Sequence, residues 1–344
     1  MQQIGGAAND QLKTAGQTAV KVIFWGTASI ATVLVIKYVA DKWVTKYLFE
    51  RPQPKLIENK SPGGLWHYFS SFIVADKSTN INDLTNHMVI DEKLKKELSS
   101  IMNMATNTKK NNGQFGHVLL YGPPGTGKTL FAQLLTEYCG MKFAFVPAAN
   151  VSQFLTDGTA VKELNELFSW AENNQEGTII FLDEIEKFLA NRKSLSDNAR
   201  NALTAFLTKT GTPSDKYIIV GTTNIPEELD NAVLSRFSTV VSFTLPDLKA
   251  RQDQLAMHIK DVFGRAKKPV DHKIFNESYN GKLAQRLEGA SGRDIQQFIN
   301  KIYQLALANN ATEISQEIVD EAHRCMEEKK KLEHIVSQQP LPKT

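Results

Sequence analysis

The chain has 344 residues, 42% of them hydrophobic and 22% charged, which excludes an intrinsically disordered protein and leaves room for about two packed domains. Its 40 Lys and Arg against 37 Asp and Glu give a net charge of +3, too small to argue for nucleic acid as a partner. The two cysteines, Cys139 and Cys325, are too few for a disulfide framework or a zinc ribbon and fit a reducing compartment.

Residues 1–18 are polar and read as a tail. Residues 19–41 read as a single transmembrane helix. Val22–Ile36 carries no charge, and the apolar run extends to Ala40 with Lys37 as its one interruption, a length of about 28 Å as a helix. Trp25, Tyr38 and Trp43 sit where interfacial aromatics belong. Tyr38 to Ala40 makes a poor cleavage site, which argues against a signal peptide. Lys13 and Lys21 precede the span, whereas Lys37, Lys42, Lys46, Arg51 and Lys55 follow it. The basic side stays in the cytosol or its equivalent, and the large C-terminal part belongs there. Residues 42–84 form a linker and membrane-proximal segment: Glu50–Gly64 is rich in Pro and Gly, and Leu65–Phe72 is aromatic.

From residue 85 to 246 the pattern is that of an α/β domain. A helical period from Asp91 to Ala105 leads in. Short apolar runs at His117–Tyr121, Phe143–Val146, Thr178–Leu182, Tyr217–Gly221 and Val240–Phe243 predict strands buried on both faces. Helical segments such as Lys162–Ala171 and Ala199–Lys209 lie between them, which predicts a parallel sheet. After Pro246 only helices are expected: Leu248–Val262, Lys282–Leu287, Arg293–Asn309 and Ser315–Glu333, making a small helical domain over 247–335 and a tail over 336–344.

Chemistry concentrates at three places. Gly122, Pro123, Pro124, Gly125, Thr126, Gly127, Lys128 and Thr129 fit the phosphate-loop pattern GxxxxGK[ST], after an apolar strand and before a helix that opens at Leu130. Backbone N–H groups and the helix N-terminus cradle phosphates there, Lys128 reaches the β and γ phosphates, and Thr129 can ligate Mg²⁺. Four apolar residues, Ile179–Leu182, then deliver Asp183 and Glu184 at a strand end, the first suited to Mg²⁺ and the second to activating water. Glu186 and Lys187 beside them read as surface helix charges. Asn224, at the end of the fourth strand, can hydrogen-bond the attacking water or the γ phosphate, or act as an ordinary turn cap. Arg236 can stabilise a transferring phosphoryl group in trans, and its bland reading is a surface ion pair. Arg293 opens a helix, where a cation opposes the dipole, and is a second phosphate contact from the small domain.

GPPGTGKT, IIFLDE, the TTN strand end and the downstream SRF together resemble AAA ATPases over about residues 85–330. NTKKN, LNELFSWA, DNARNALTAFLTKTG and EGASGRDI are similar to the ATPase family AAA domain-containing protein 3 group, mitochondrial inner-membrane ATPases with a membrane segment ahead of the AAA module. The resemblance implies an AAA+ P-loop NTPase sandwich of three layers with a helical lid, ATP and Mg²⁺ as ligands, and a hexameric homo-oligomer with nucleotide between subunits. It implies Arg236 acting on the neighbour's ATP, Asn224 as the water sensor and Arg293 as the lid sensor. The expected function is a membrane-anchored ATPase that remodels or organises protein and membrane assemblies around an unknown protein client. The alternative is an ATP-regulated scaffold for nucleoid or membrane contacts. The expected location is a bacterial or mitochondrial inner membrane, with the AAA module on the cytosolic or matrix side and the bilayer as a partner.

Departures from the family pattern narrow this. Ser235-Arg236 offers one arginine where katanin- and spastin-like relatives carry two. The first pore loop falls near Phe154–Gly158, and its aromatic position reads Thr156, which argues against strong peptide threading. The long coiled-coil half of the mitochondrial group and an Arg-rich presequence are absent, so a bacterial relative fits as well as a mitochondrial one. No histidine begins an HExxH zinc motif, which removes an AAA protease.

Overall fold

A computed structural model describes residues 54–57, 88–190, 195–266 and 270–338. The polar tail, the apolar span at 19–41 and the aromatic segment 65–72 lie outside these residues. Among the described residues no helix is long and apolar enough to cross a membrane.

The five apolar runs form β1 (His117–Tyr121), β2 (Lys142–Pro147), β3 (Thr178–Asp183), β4 (Tyr217–Thr223) and β5 (Phe237–Ser242). They pair in parallel in the order β2-β3-β4-β1-β5. β5 starts three residues before the expected Val240, at Phe237, which is buried and pairs with His117. The apolar-run signal fails there because β5 is an edge strand with alternate residues exposed.

Successive strand residues point to opposite faces, and each face has its own core. Val118, Leu120, Ile179, Phe181 and Val220 pack against α1 (Glu92–Lys110) and α2 (Lys128–Cys139). Leu119, Ile180, Leu182 and Ile219 pack against α3 (Ala148–Thr156), α4 (Ala160–Glu172) and α5 (Asp197–Lys209). The three expected layers are thus formed. α1 follows from its sequence: Asp91 caps it by accepting from the Leu94 N–H at 2.8 Å, and Leu94, Leu98, Ile101, Met102 and Ala105 make one buried stripe.

One expectation needs correction. The Pro-rich stretch at 50–64 is not wholly a free linker: within it, Leu56 is fully buried and Ile57 nearly so, in the core beside α3, and the Leu56 carbonyl accepts from Asn150 Nδ2 at 3.3 Å. An apolar pair is driven into the nearest apolar slot, whatever the flanking prolines suggest. The segment around Phe154–Gly158 is the end of α3 and a turn, with Phe154 packed on the core and Thr156 exposed.

After a four-residue helix α6 (Asn231–Leu234) and β5, the lid follows: α7 (Leu248–Gly264), α8 (Glu277–Arg286), α9 (Gly292–Ala308) and α10 (Gln316–Gln338). Leu255, Ile259, Leu283, Ile295, Phe298, Ile302 and Val319 form its separate core. Buried Arg251 fixes the hinge, its Nε donating to the Ala284 carbonyl and its Nη1 to the Pro246 carbonyl, each at 2.8 Å. α8 starts five residues ahead of the expected Lys282 because Asn276 caps it, accepting from the Tyr279 N–H.

His117 supplies a pH handle. It is 5% exposed, and its Nδ1 accepts from the Ile219 N–H at 3.2 Å, so the ring is neutral in the sheet. Burial lowers its pKa from 6.5 to about 4. A lowered folded pKa means the unfolded chain binds the proton first, so this contribution is complete above pH 6.5 and drains away as pH falls toward 4. The loss is about 3 kcal/mol over that window. Urea unfolding at pH 7 and pH 4.5 is expected to show a steeper loss for the natural chain than for His117→Asn. Equal slopes would remove His117 from the acid sensitivity.

Candidate functional site

A parallel sheet sends the carboxyl ends of its strands to one edge, and ligands bind there. The sheet order puts β4 between β3 and β1, so the end of β4 lies between the phosphate loop and the two acids. The loop backbone depends on glycine at two close approaches. Gly122 has φ 137°, and a Cβ there would lie 2.0 Å from the Phe243 carbonyl oxygen. Gly125 has φ 77°, and a Cβ would meet Ser291 Oγ at 2.6 Å and Arg293 Cβ at 2.8 Å. The second contact brings the lid onto the loop, where the Arg293 N–H donates to the Gly125 carbonyl at 3.2 Å. Arg293 is held there by α9's capping box, in which Ser291 and Asp294 satisfy each other's backbone N–H groups.

Lys128 is the first residue of α2 and is buried. Its ammonium donates to the Gly122 carbonyl at 2.7 Å, the Pro123 carbonyl at 2.9 Å and Asn224 Oδ1 at 2.9 Å. All three protons therefore have acceptors. Burial lowers its pKa to about 8, against the attraction of Asp183 and Glu186, while Arg293 lowers it further.

Asp183 ends β3, and burial pushes its carboxyl above the usual range while a hydrogen bond from Thr222 pulls it back. That bond, Thr222 Oγ1 to Asp183 Oδ1, is 2.5 Å, and the same hydroxyl accepts from the Glu184 N–H at 3.2 Å. Glu184 has φ 52° and opens a 3₁₀ turn over Ile185–Lys187, where its carboxylate is ion-paired with Lys187. Glu186 corrects the expectation of a surface charge: the turn folds it inward to 8% exposure, and its Oε1 accepts from the Asn224 N–H at 3.4 Å. Period alone could not reveal this, because the residues after the strand form one tight turn and not a helix face.

Pro124, Gly125, Thr126, Gly127, Lys128, Thr129, Leu130, Asp183, Glu184, Asn224 and Arg293 all line one cleft of about 570 Å³. Thr129 and Asp183 offer it a hydroxyl and a carboxylate, the hard oxygen donors that Mg²⁺ takes, and among the described residues no cluster of three metal-ligating side chains competes. The rest of the wall was not found from sequence. Met88, Val89 and Ile90 line it from ahead of α1, and Gln254, Met257 and His258 from α7. Gln254 joins the two by donating from Nε2 to the Val89 carbonyl at 2.7 Å. No local motif marks these residues. Thr222 lies in the TTN run, but its hydroxyl's place between Asp183 and the Glu184 N–H has no local signature.

Arg236 lies outside this cleft, just before β5, with its Nε buried and lacking a hydrogen-bond partner among the described residues.

Residues 118–245 match the family described as ATPase family associated with various cellular activities (AAA). A Caenorhabditis elegans protein named ATPase family AAA domain-containing protein 3 is 34% identical over 69% of this chain and 41% of its own length. Human ATPase family AAA domain-containing protein 3B is 35% identical over 62% of this chain and 34% of its own. The chain thus spans about two fifths or less of these relatives. Among solved structures, the FIGL-1 AAA domain shares the fold at TM-score 0.58 and 22% identity, over 77% of this chain and 92% of that one; a structure of the same domain in complex with ADP covers 78% and 92%. Motif, topology and relatives converge: residues 118–245 of this chain are an AAA ATPase domain, and homologues at about 34% identity are named ATPase family AAA domain-containing protein 3.

Proposed function

We propose that this chain hydrolyses ATP to ADP and phosphate as a homo-oligomeric ring, a hexamer as the family resemblance implies, in which Arg236 serves a neighbour's site, and that its N-terminal segment tethers the ring to a membrane. The observation that carries the reading is the convergence of Lys128, Asp183, Glu184, Asn224 and Arg293 on one cleft at the carboxyl edge of the sheet. The structurally similar FIGL-1 AAA domain has been solved in complex with ADP, which supports a nucleotide as the ligand.

The geometry supports the following roles. Backbone N–H groups of Gly125–Thr129 face phosphate oxygens, and the N-terminus of α2 adds favourable dipole. Lys128 turns from its resting acceptors, the Asn224 side chain among them, to the β and γ phosphates. Thr129 and Asp183 are the residues to hold Mg²⁺, which supplies charge neutralisation when bound. Glu184 leaves Lys187 to take the proton of the attacking water, and Asn224 orients that water. Arg293 reports phosphate occupancy to the lid through its place on Gly125. The ring, its client and the membrane tether at 19–41 rest on the sequence and the family.

The test is direct. The purified full chain with ATP and Mg²⁺ is expected to release phosphate catalytically and to float with liposomes, flotation being lost when residues 22–40 are deleted. Absence of both binding and turnover would overturn the ATPase reading; unchanged flotation after the deletion would overturn the tether.

A further inference from the structure

We propose that Glu186 is a positioning residue for ATP hydrolysis: it anchors Asn224 while Lys128 moves from the Asn224 side chain to the phosphates. The inference rests on the ATPase reading above.

Glu186 is a carboxylate at 8% exposure that makes no ion pair among the described residues. Its Oε1 accepts from the Asn224 N–H, and its Oε2 is buried with no hydrogen-bond partner. Burying such a group is costly, and nothing in the packing of a short 3₁₀ turn requires it. A leucine or methionine would fill the space. What the carboxylate provides is an acceptor where the sheet stops providing one. The pairing of β4 with β3 ends at Leu182 and Gly221, and its pairing with β1 ends at Tyr121 and Thr223. Asn224 lies three residues beyond the first ladder and one beyond the second.

Before nucleotide arrives, Asn224 is held at two points: its backbone by Glu186 and its side chain by Lys128. A triphosphate draws Lys128 away, because the ammonium cannot serve the phosphates and all three resting acceptors together. The side chain of Asn224 is then released at the moment it must orient water. The Glu186 contact is the one that persists. It also fixes Asn224 relative to Glu184, since the 184–186 turn clamps the end of β4 twice, through Thr222 Oγ1 and through the Asn224 N–H. Base and water-orienting group are thereby kept in register by a single turn.

The experiment measures kcat, KM and ATP affinity of the full chain for Glu186→Ala, Glu186→Gln, Asn224→Ala and the Glu186→Ala/Asn224→Ala pair. Misplacing a water-orienting group by a fraction of an ångström is expected to lower kcat by roughly ten- to hundredfold in Glu186→Ala, with KM and affinity within about twofold. Glu186→Gln keeps the acceptor oxygen and is expected to stay within about threefold of the natural kcat. In the Asn224→Ala background, Glu186→Ala is expected to add less than about twofold, because it acts through a side chain already gone. Where alanine unfolds the domain, Glu186→Leu removes the acceptor and the buried charge while filling the space. Multiplying effects of the two alanine variants, a Glu186→Gln chain as slow as Glu186→Ala, or a loss confined to KM would each overturn the positioning role. A natural chain that binds no ATP would overturn the ATPase reading, and this role with it. An active natural chain indifferent to Glu186 would overturn this role alone.

Discussion

Arg236→Ala is expected to lower phosphate release by about 10³-fold or more, with ATP affinity nearly unchanged. The argument is one of place. Arg236 does not reach the cleft of its own subunit, so it cannot assist hydrolysis there. It precedes edge strand β5 on a half-buried side chain whose Nε makes no hydrogen bond among the described residues. A neighbouring γ phosphate is the partner proposed for it. Mixing separates this from misfolding. Arg236→Ala subunits have an intact cleft and no finger, while Lys128→Ala subunits have the finger and a disabled cleft. Co-assembled, a Lys128→Ala subunit completes the cleft of an Arg236→Ala neighbour, and activity is expected to reappear. A confirmed mixed assembly that stays silent would count against the shared site.

Glu184→Gln is expected to bind ATP and to hydrolyse it about 10²- to 10⁴-fold more slowly, the range of a lost general base. The substitution keeps size and hydrogen bonding but removes the proton acceptor. The backbone should not move, because the Glu184 N–H stays on Thr222 Oγ1 and φ remains 52°. Glu184 rests on Lys187, so the base is not yet aimed at a water, and nucleotide must draw it away. Single-turnover measurement with trapped ATP reads this directly. Turnover near the natural rate would remove Glu184 as the base and leave Glu186, the other acid of the turn, as the group to test.

The pattern of residues was enough for the sheet and the phosphate loop. Alternating apolar strands and periodic helices specify a buried parallel sheet because each strand must be covered on both faces, and Val118–Leu120 and Ile179–Leu182 supply both faces at once. GPPGTGKT and IIFLDE place their chemistry at strand ends, where main-chain geometry alone delivers it, so local sequence sufficed for Lys128, Asp183 and Glu184. It sufficed less well at the edge: β5 hides its start because an edge strand alternates, and Leu56–Ile57 are buried although their prolines suggest a linker.

What only the tertiary structure decided are the contacts between segments remote in sequence. Lys128 to Asn224, Gln254 to Val89, and Arg293 to Gly125 each join elements that the sheet order and the lid bring together. Glu186 is the clearest case, since one tight turn reverses its reading from surface charge to buried anchor. Periodicity encodes which side of an element is apolar, and motifs encode backbone shape over a few residues. Neither encodes which distant group will satisfy a buried polar atom, because that depends on the packing of whole elements, and that is where the contacts of Asn224, the contacts of the helical domain and the far wall of the cleft were decided.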